Sequence, residues 1–225
     1  MTQSAHGLFR ATGKRARPVR RQMLDGEFDA SPQPARAADD FMPTPPEPTI
    51  ALCHYERRAL ARFPLIWEPA CGDGRMMRDL ESCGHAVVGS DLRDRGCDAI
   101  VQDFFAFTAP LAPCIVTNPP YNKVNARDGR GEWIWHAMER LGVDYMALLL
   151  NWSWPGAGGL ARLWEAWPPS VVYLMRWKID FTGGGAPPML NAWFVWDRAR
   201  PPLGAGLARL AMMDRVPHPT QEALL

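Results

Sequence analysis

Leu65-Ile66-Trp67-Glu68-Pro69-Ala70-Cys71-Gly72-Asp73-Gly74 is the stretch from which the rest of the chain can be read. Its first three residues are a short apolar run that reads as a buried strand, and the paired glycines turn the chain sharply after it. A helical pattern over residues 75–83 follows, and then a second apolar run, Ala86-Val87-Val88-Gly89, ending at Ser90-Asp91. Strand, glycine turn, helix and strand form the unit from which parallel sheets are wound. The alternation continues through Ala99-Ile100-Val101, ending at Gln102-Asp103, and Cys114-Ile115-Val116-Thr117. A helix over 132–141 and a strand over 145–150 come next. Residues 171–175 and 192–196 read as a closing hairpin joined through Gly183-Gly184-Gly185. The prediction is an α/β fold: a doubly wound, mostly parallel seven-stranded sheet, covered on both faces, with a C-terminal antiparallel hairpin. In such sheets ligands sit beyond the carboxyl ends of the strands.

With 225 residues, 47% of them hydrophobic, the chain can build one sizeable core and is short for two. A net charge of +1 provides no whole-molecule attraction to nucleic acid. Basic charge gathers locally in Arg10, Lys14, Arg15, Arg17, Arg20 and Arg21, which suits a solvated tail or an arm on a phosphate backbone. Residues 1–40 lack hydrophobic period and are expected to be a basic, disordered N-terminal arm. A stiff, proline-rich segment over 41–48 leads into a helix expected over 49–62. The folded domain is expected over 41–200 and a C-terminal tail over 201–225. Five scattered cysteines without C-x-x-C or His/Cys metal spacing predict reduced thiols and no metal. No apolar run approaches a membrane span and no secretory h-region is present, so the expected location is the cytoplasm.

The chemistry-bearing residues fall at strand ends. Asn118-Pro119-Pro120-Tyr121 follows Thr117, where two prolines stop the ladder and hold a rigid extended turn. The Asn118 amide and the Pro119 carbonyl offer two acceptors beside the Tyr121 ring. That set suits a planar ring carrying an exocyclic amino group. The glycine turn carries the acids Glu68 and Asp73 in place of a phosphate-binding pattern, which favours a ligand with an ammonium or sulfonium group. Asp91 can accept the hydroxyls of a ribose, although a turn aspartate or helix cap has the same appearance. Asp103-Phe104 offers an acceptor and a ring, or equally a turn acid and a core aromatic. Lys123, Arg127 and Arg130 form a basic loop beside the turn. Trp152 and Trp154, past the fifth strand, are candidates to cover a second face of the ring or to belong to the core.

In these motifs the chain resembles the S-adenosylmethionine-dependent methyltransferases of the Rossmann-like class I group. Within that group it is similar to the N6-adenine (amino-group) DNA methyltransferases of NPPY type. The resemblance covers roughly 41–200. It implies that Thr44 and Pro45 touch the methionine part of the cofactor, and that Glu68, Pro69, Ala70, Cys71, Gly72 and Gly74 cradle it. Asp91 and Leu92 would bind its ribose and neighbouring ring, Asp103 and Phe104 its adenine, and Asn118 would border it. Asn118, Pro119, Pro120 and Tyr121 would be catalytic, with Tyr121 stacking on a flipped adenine. Lys123, Arg127, Arg130, Trp152 and Trp154 would contact substrate.

The implied activity is methyl transfer from S-adenosyl-L-methionine to N6 of adenine in DNA, by direct displacement. Only about fifteen residues separate Asp103 from Asn118 and no recognition region is evident, so short or relaxed specificity, or a partner subunit, is expected. A bacterial or phage origin would suit such a small enzyme. The same motif also serves enzymes acting on RNA adenine or on a protein glutamine amide. A non-catalytic nucleic-acid-binding or partner subunit is the alternative from another class.

Overall fold

The computed structural model describes residues 43–125, 130–181, 183 and 189–217, so the expected N-terminal arm lies outside the described residues. The eight strands are β1 (Ile66–Glu68), β2 (Val87–Asp91), β3 (Ala99–Val101), β4 (Cys114–Thr117), β5 (Tyr145–Asn151), β6 (Val171–Met175), β7 (Asn191–Asp197) and β8 (Arg209–Met213). They form one sheet in the order β3-β2-β1-β4-β5-β7-β6-β8. Neighbours are parallel except where β7 runs antiparallel between β5 and β6. This is the expected Rossmann-like arrangement with its antiparallel hairpin. The order reverses at β1, so the crevice between β1 and β4 opens at the sheet's carboxyl end.

The expected strand count of seven is corrected by β8, which comes from residues expected to be a tail. It pairs parallel with β6, from Val171↔Arg209 to Met175↔Met213. The strand stays in place because Met213 is fully buried beneath it while Leu210 and Met212 face solvent. A half-buried edge strand of five residues has a weak apolar signature.

Side chains alternate between two cores, as a strand's two-residue period demands. Met146, Leu148 and Leu150 of β5 join one apolar cluster, whereas Tyr145, Ala147 and Leu149 join the other on the opposite face. Six consecutive buried residues in β5 are therefore the mark of a strand covered on both sides.

Helix α1 spans Pro46–Tyr55, starting earlier than expected. The N–H groups of a first helical turn have no intrahelical acceptor, so prolines there remove no bond. Trp193 of β7 donates its indole N–H to the Pro48 carbonyl at 2.9 Å, which fastens α1 to the sheet. The helix breaks at Glu56 before α2 (Arg57–Leu60), so the expected single helix to residue 62 is two. Glu56 accounts for the break. It is 2% exposed and accepts hydrogen bonds from the Tyr145 hydroxyl (3.2 Å), the Tyr173 hydroxyl and Arg200 Nη2 (2.7 Å).

The remaining helices are α3 (Arg75–Ser82), α4 (Tyr121–Val124), α5 (Glu132–Trp135, continued as a π-type turn over His136–Arg140) and α6 (Ala161–Ala166). Among the described residues no helix is long and apolar enough to cross a membrane.

Candidate active site

The glycine turn after β1 is built by two left-handed residues, Gly72 (φ 57°) and Gly74 (φ 75°). A Cβ on Gly74 would sit 3.0 Å from Cys97 Cβ, so backbone conformation and space both require glycine here. Gly72 N–H donates to Asp91 Oδ2 at 2.9 Å, and the Cys97 thiol donates to the Gly72 carbonyl at 3.2 Å. Asp91 Oδ1 takes the Arg93 N–H at 3.0 Å. Each oxygen of this half-buried carboxylate thus holds one backbone donor and retains further lone-pair capacity. Leu92 beside it is 64% exposed.

Glu68, at the tip of β1, is 2% exposed, and its Oε2 has no hydrogen-bond partner among the described residues. Burial raises its carboxyl well above the ordinary range, and Asp79, Asp91 and Asp73 add repulsion. Asp73 itself faces outward and pairs with Arg75 Nε at 2.9 Å. A buried carboxyl among other acids favours a cation and disfavours a phosphate.

The Asn118–Tyr121 turn leaves β4 at Thr117. Asn118 is half-buried, Pro119 is buried, and Pro120 is extended (φ −62°, ψ 114°) before Tyr121 opens α4. Asn118 Nδ2 donates to Thr44 Oγ1 at 3.1 Å, joining positions 74 residues apart. Thr44 is 7% exposed, and Pro45 after it is extended and leads into α1. The bond directs the amide nitrogen toward Thr44, so the opposite atom, Oδ1, is left as the acceptor. Oδ1 is buried and accepts no hydrogen bond among the described residues. Tyr121 is half-buried, its ring packed on the edge of the core.

The structure separates residues that sequence grouped. Asp103 is exposed and caps a short turn, its Oδ1 taking the Phe105 N–H at 3.0 Å. Phe104 lies in the core, 3% exposed and stacked on Trp133 with ring centroids 3.9 Å apart. Phe105 also contacts the Trp133 and His136 rings but lies nearer the surface, half-buried. Lys123 is exposed, its ammonium 5.4 Å from the Phe105 ring centroid. Arg130 is exposed with a left-handed φ of 42°, and Arg127 lies outside the described residues.

Trp152 and Trp154 also diverge: Trp152 is 37% exposed at the carboxyl rim, whereas Trp154 is 8% exposed. The Trp152 backbone N–H donates to the Leu190 carbonyl at 3.0 Å, which places the exposed Met189 and Leu190 on the same rim. Those two residues carry no motif and were not legible in sequence. Glu68, Asp91, Asp103, Asn118 and Trp152 all project from carboxyl ends of successive parallel strands or the loops just after them.

No family model matches the chain, and no curated protein matches it in sequence. Solved structures do match in fold. A candidate class I S-adenosylmethionine-dependent methyltransferase from Listeria monocytogenes superposes with a TM-score of 0.52 at 12% identity, covering 75% of this chain. The match spans 65% of that protein's length, less than two thirds. The modification subunit of a candidate type I restriction enzyme from Vibrio vulnificus gives 0.45 at 15% identity, over 73% of this chain and 46% of that one. A candidate RNA methyltransferase from Pyrococcus horikoshii gives 0.44 at 11% identity, over 65% and 78%. The fold is Rossmann-like, of the class I methyltransferase type.

Proposed function

We propose that the chain is an S-adenosylmethionine-dependent methyltransferase acting on the N6 amino group of adenine in DNA. The observation that carries this reading is the Thr44–Asn118 bond, which leaves a buried amide oxygen as an acceptor in the turn that leads to Tyr121. The residues present fit the cofactor. The Glu68 carboxyl, with one oxygen lacking a hydrogen bond among the described residues and acids around it, suits its cationic methionine end, and the glycines Gly72 and Gly74 permit close approach. Thr44, Pro45, Glu68, Pro69, Ala70, Cys71, Gly72 and Gly74 would hold the methionine part, Asp91 the ribose, and Leu92 with Asp103 the adenine. Bound there, the cofactor supplies an electrophilic methyl group on sulfur.

The chain's own work is on the acceptor. An aromatic amine is a poor nucleophile because its lone pair is delocalised into the ring. Donating its two N–H bonds to Asn118 Oδ1 and the Pro119 carbonyl pulls the nitrogen toward tetrahedral geometry and localises that pair. Thr44 holds the amide so that oxygen, not nitrogen, faces the amine, an arrangement set before substrate arrives. Tyr121 offers its ring to the extruded base, and the exposed Trp152 lies on the same rim.

The reading is tested by incubating the protein with methyl-labelled cofactor and a panel of duplex DNA, single-stranded DNA, RNA and protein, then digesting and identifying the labelled product. N6-methyladenine from DNA is expected. Label confined to RNA adenine or to glutamine would overturn the substrate, and label nowhere would overturn the activity.

A further inference from the structure

We infer that Trp154 is a positioning residue for the catalytic turn: its indole N–H fixes the one-turn helix that carries Tyr121. The inference rests on the proposed function for its catalytic consequence, but the contact itself does not. Helix α4 has four residues, and no side chain caps its start. Lys123 N–H bonds to the Pro120 carbonyl and Asn125 N–H to the Tyr121 carbonyl, each at 2.9 Å. The Val124 carbonyl is the last of the turn, where carbonyls have no intrahelical donor. Trp154 Nε1–H reaches it at 2.7 Å, in a buried contact between the loop after β5 and the turn after β4.

A helix this short has little stability of its own, so its position is set by what holds it from outside. On one side Val124, 1% exposed, is packed in the core. On the other, the Trp154 indole is wedged edge-on against Phe194 (ring centroids 5.1 Å apart) and Trp164 (6.0 Å), so the donor is anchored in the sheet. Phe194 belongs to β7 and Val124 follows the β4 turn, and Trp154 connects the two. Tyr121 is three residues before Val124, the spacing of neighbours on one helix face. Freeing the carbonyl end would therefore let the Tyr121 ring rotate or shift.

A matched control lies in the same aromatic cluster. Trp164 Nε1–H also donates to a carbonyl, that of Gly206, at 2.8 Å, but this bond leads away from the catalytic turn. Trp154→Phe and Trp164→Phe thus remove chemically equal bonds and similar ring volume. Amide hydrogen exchange is measured over residues 121–125, with transfer kinetics and cofactor affinity on the same proteins.

Expected for Trp154→Phe are faster exchange confined to that segment and a kcat lower by about 10- to 100-fold, the scale of a roughly 1 Å misplacement, with cofactor affinity unchanged. Trp164→Phe keeps an aromatic ring against Trp154 and leaves the Trp154–Val124 bond in place, so its kcat should stay within about twofold of wild type. Unchanged exchange at 121–125 in Trp154→Phe, or equal losses in both variants, would overturn the inference. If Trp154→Phe does not fold, the wild-type indole N–H decides: slow exchange of the Trp154 Nε1 proton supports the bond, and solvent-like exchange refutes it. A wild type that transfers no methyl group would refute the functional reading, while the exchange result still decides whether the turn is pinned.

Discussion

At the residue scale, the site stores an electrostatic cost that a ligand would relieve. Glu68 is buried beside Asp79, Asp91 and Asp73, and its carboxyl is held well above the ordinary range, first by burial and then by those acids. The sign follows. The folded chain keeps a proton that the unfolded chain releases above about pH 4–5, so this stabilisation is complete below that range and is lost as pH rises toward the folded-state pKa. Glutamine carries no such penalty. Glu68→Gln is expected to melt a few degrees higher at about pH 7.5, with a flatter pH dependence, and to bind the cationic cofactor about tenfold more weakly. Thermal melts across pH with calorimetric titration check both. A variant that melts lower, or binds the cofactor as tightly as wild type, would contradict this account of Glu68.

At the element scale, the glycine turn is exacting and the sheet edge is protective. Gly74→Ala would force a left-handed backbone on a residue with Cβ and drive that atom to 3.0 Å from Cys97 Cβ. A stability loss of about 1–3 kcal/mol is expected, with weakened cofactor binding. Denaturant titration measures the first and calorimetry the second, and an Ala variant as stable as wild type would contradict the turn's geometry. Deleting residues 209–225 removes β8 and opens the ladder of β6. Such a chain should melt lower and associate as its concentration rises, which light scattering detects.

These elements also show what was legible. The strands that carry the motifs were readable because each is an unbroken apolar run closed by glycine, proline or aspartate. β8 was not, since Leu210 and Met212 face solvent and its pairing partner lies over thirty residues upstream. Thr44 and Asn118 were each suggested by motif resemblance, but their contact spans 74 positions and appears only in the fold. Phe104 and Trp154 carried the right residue type for a ligand face, and the structure packs both into the core.

At the scale of the whole molecule, the two ends of the sheet divide the work. The amino end is locked by a polar cluster: Glu56 with Tyr145, Tyr173 and Arg200, and Asp197 with Arg62 at 2.7 Å. Removing one member strands buried partners, so Glu56→Ala should cost about 3–5 kcal/mol in chemical denaturation. A cost under about 1 kcal/mol would show the cluster to be solvent-screened. The carboxyl end is where Glu68 and Asn118 each keep a buried oxygen without a hydrogen bond among the described residues, near the half-buried Asp91 and Tyr121, and there the account places methyl transfer. Cofactor affinity and single-turnover transfer to adenine-containing DNA, measured side by side for wild type and Asn118→Ala, test that claim most directly. The account predicts cofactor affinity within about threefold and a transfer rate lower by about 10²–10³-fold, the worth of a preorganised polar group at the reacting atom. Transfer at the wild-type rate by Asn118→Ala, or a wild type that does not bind the cofactor, would contradict it.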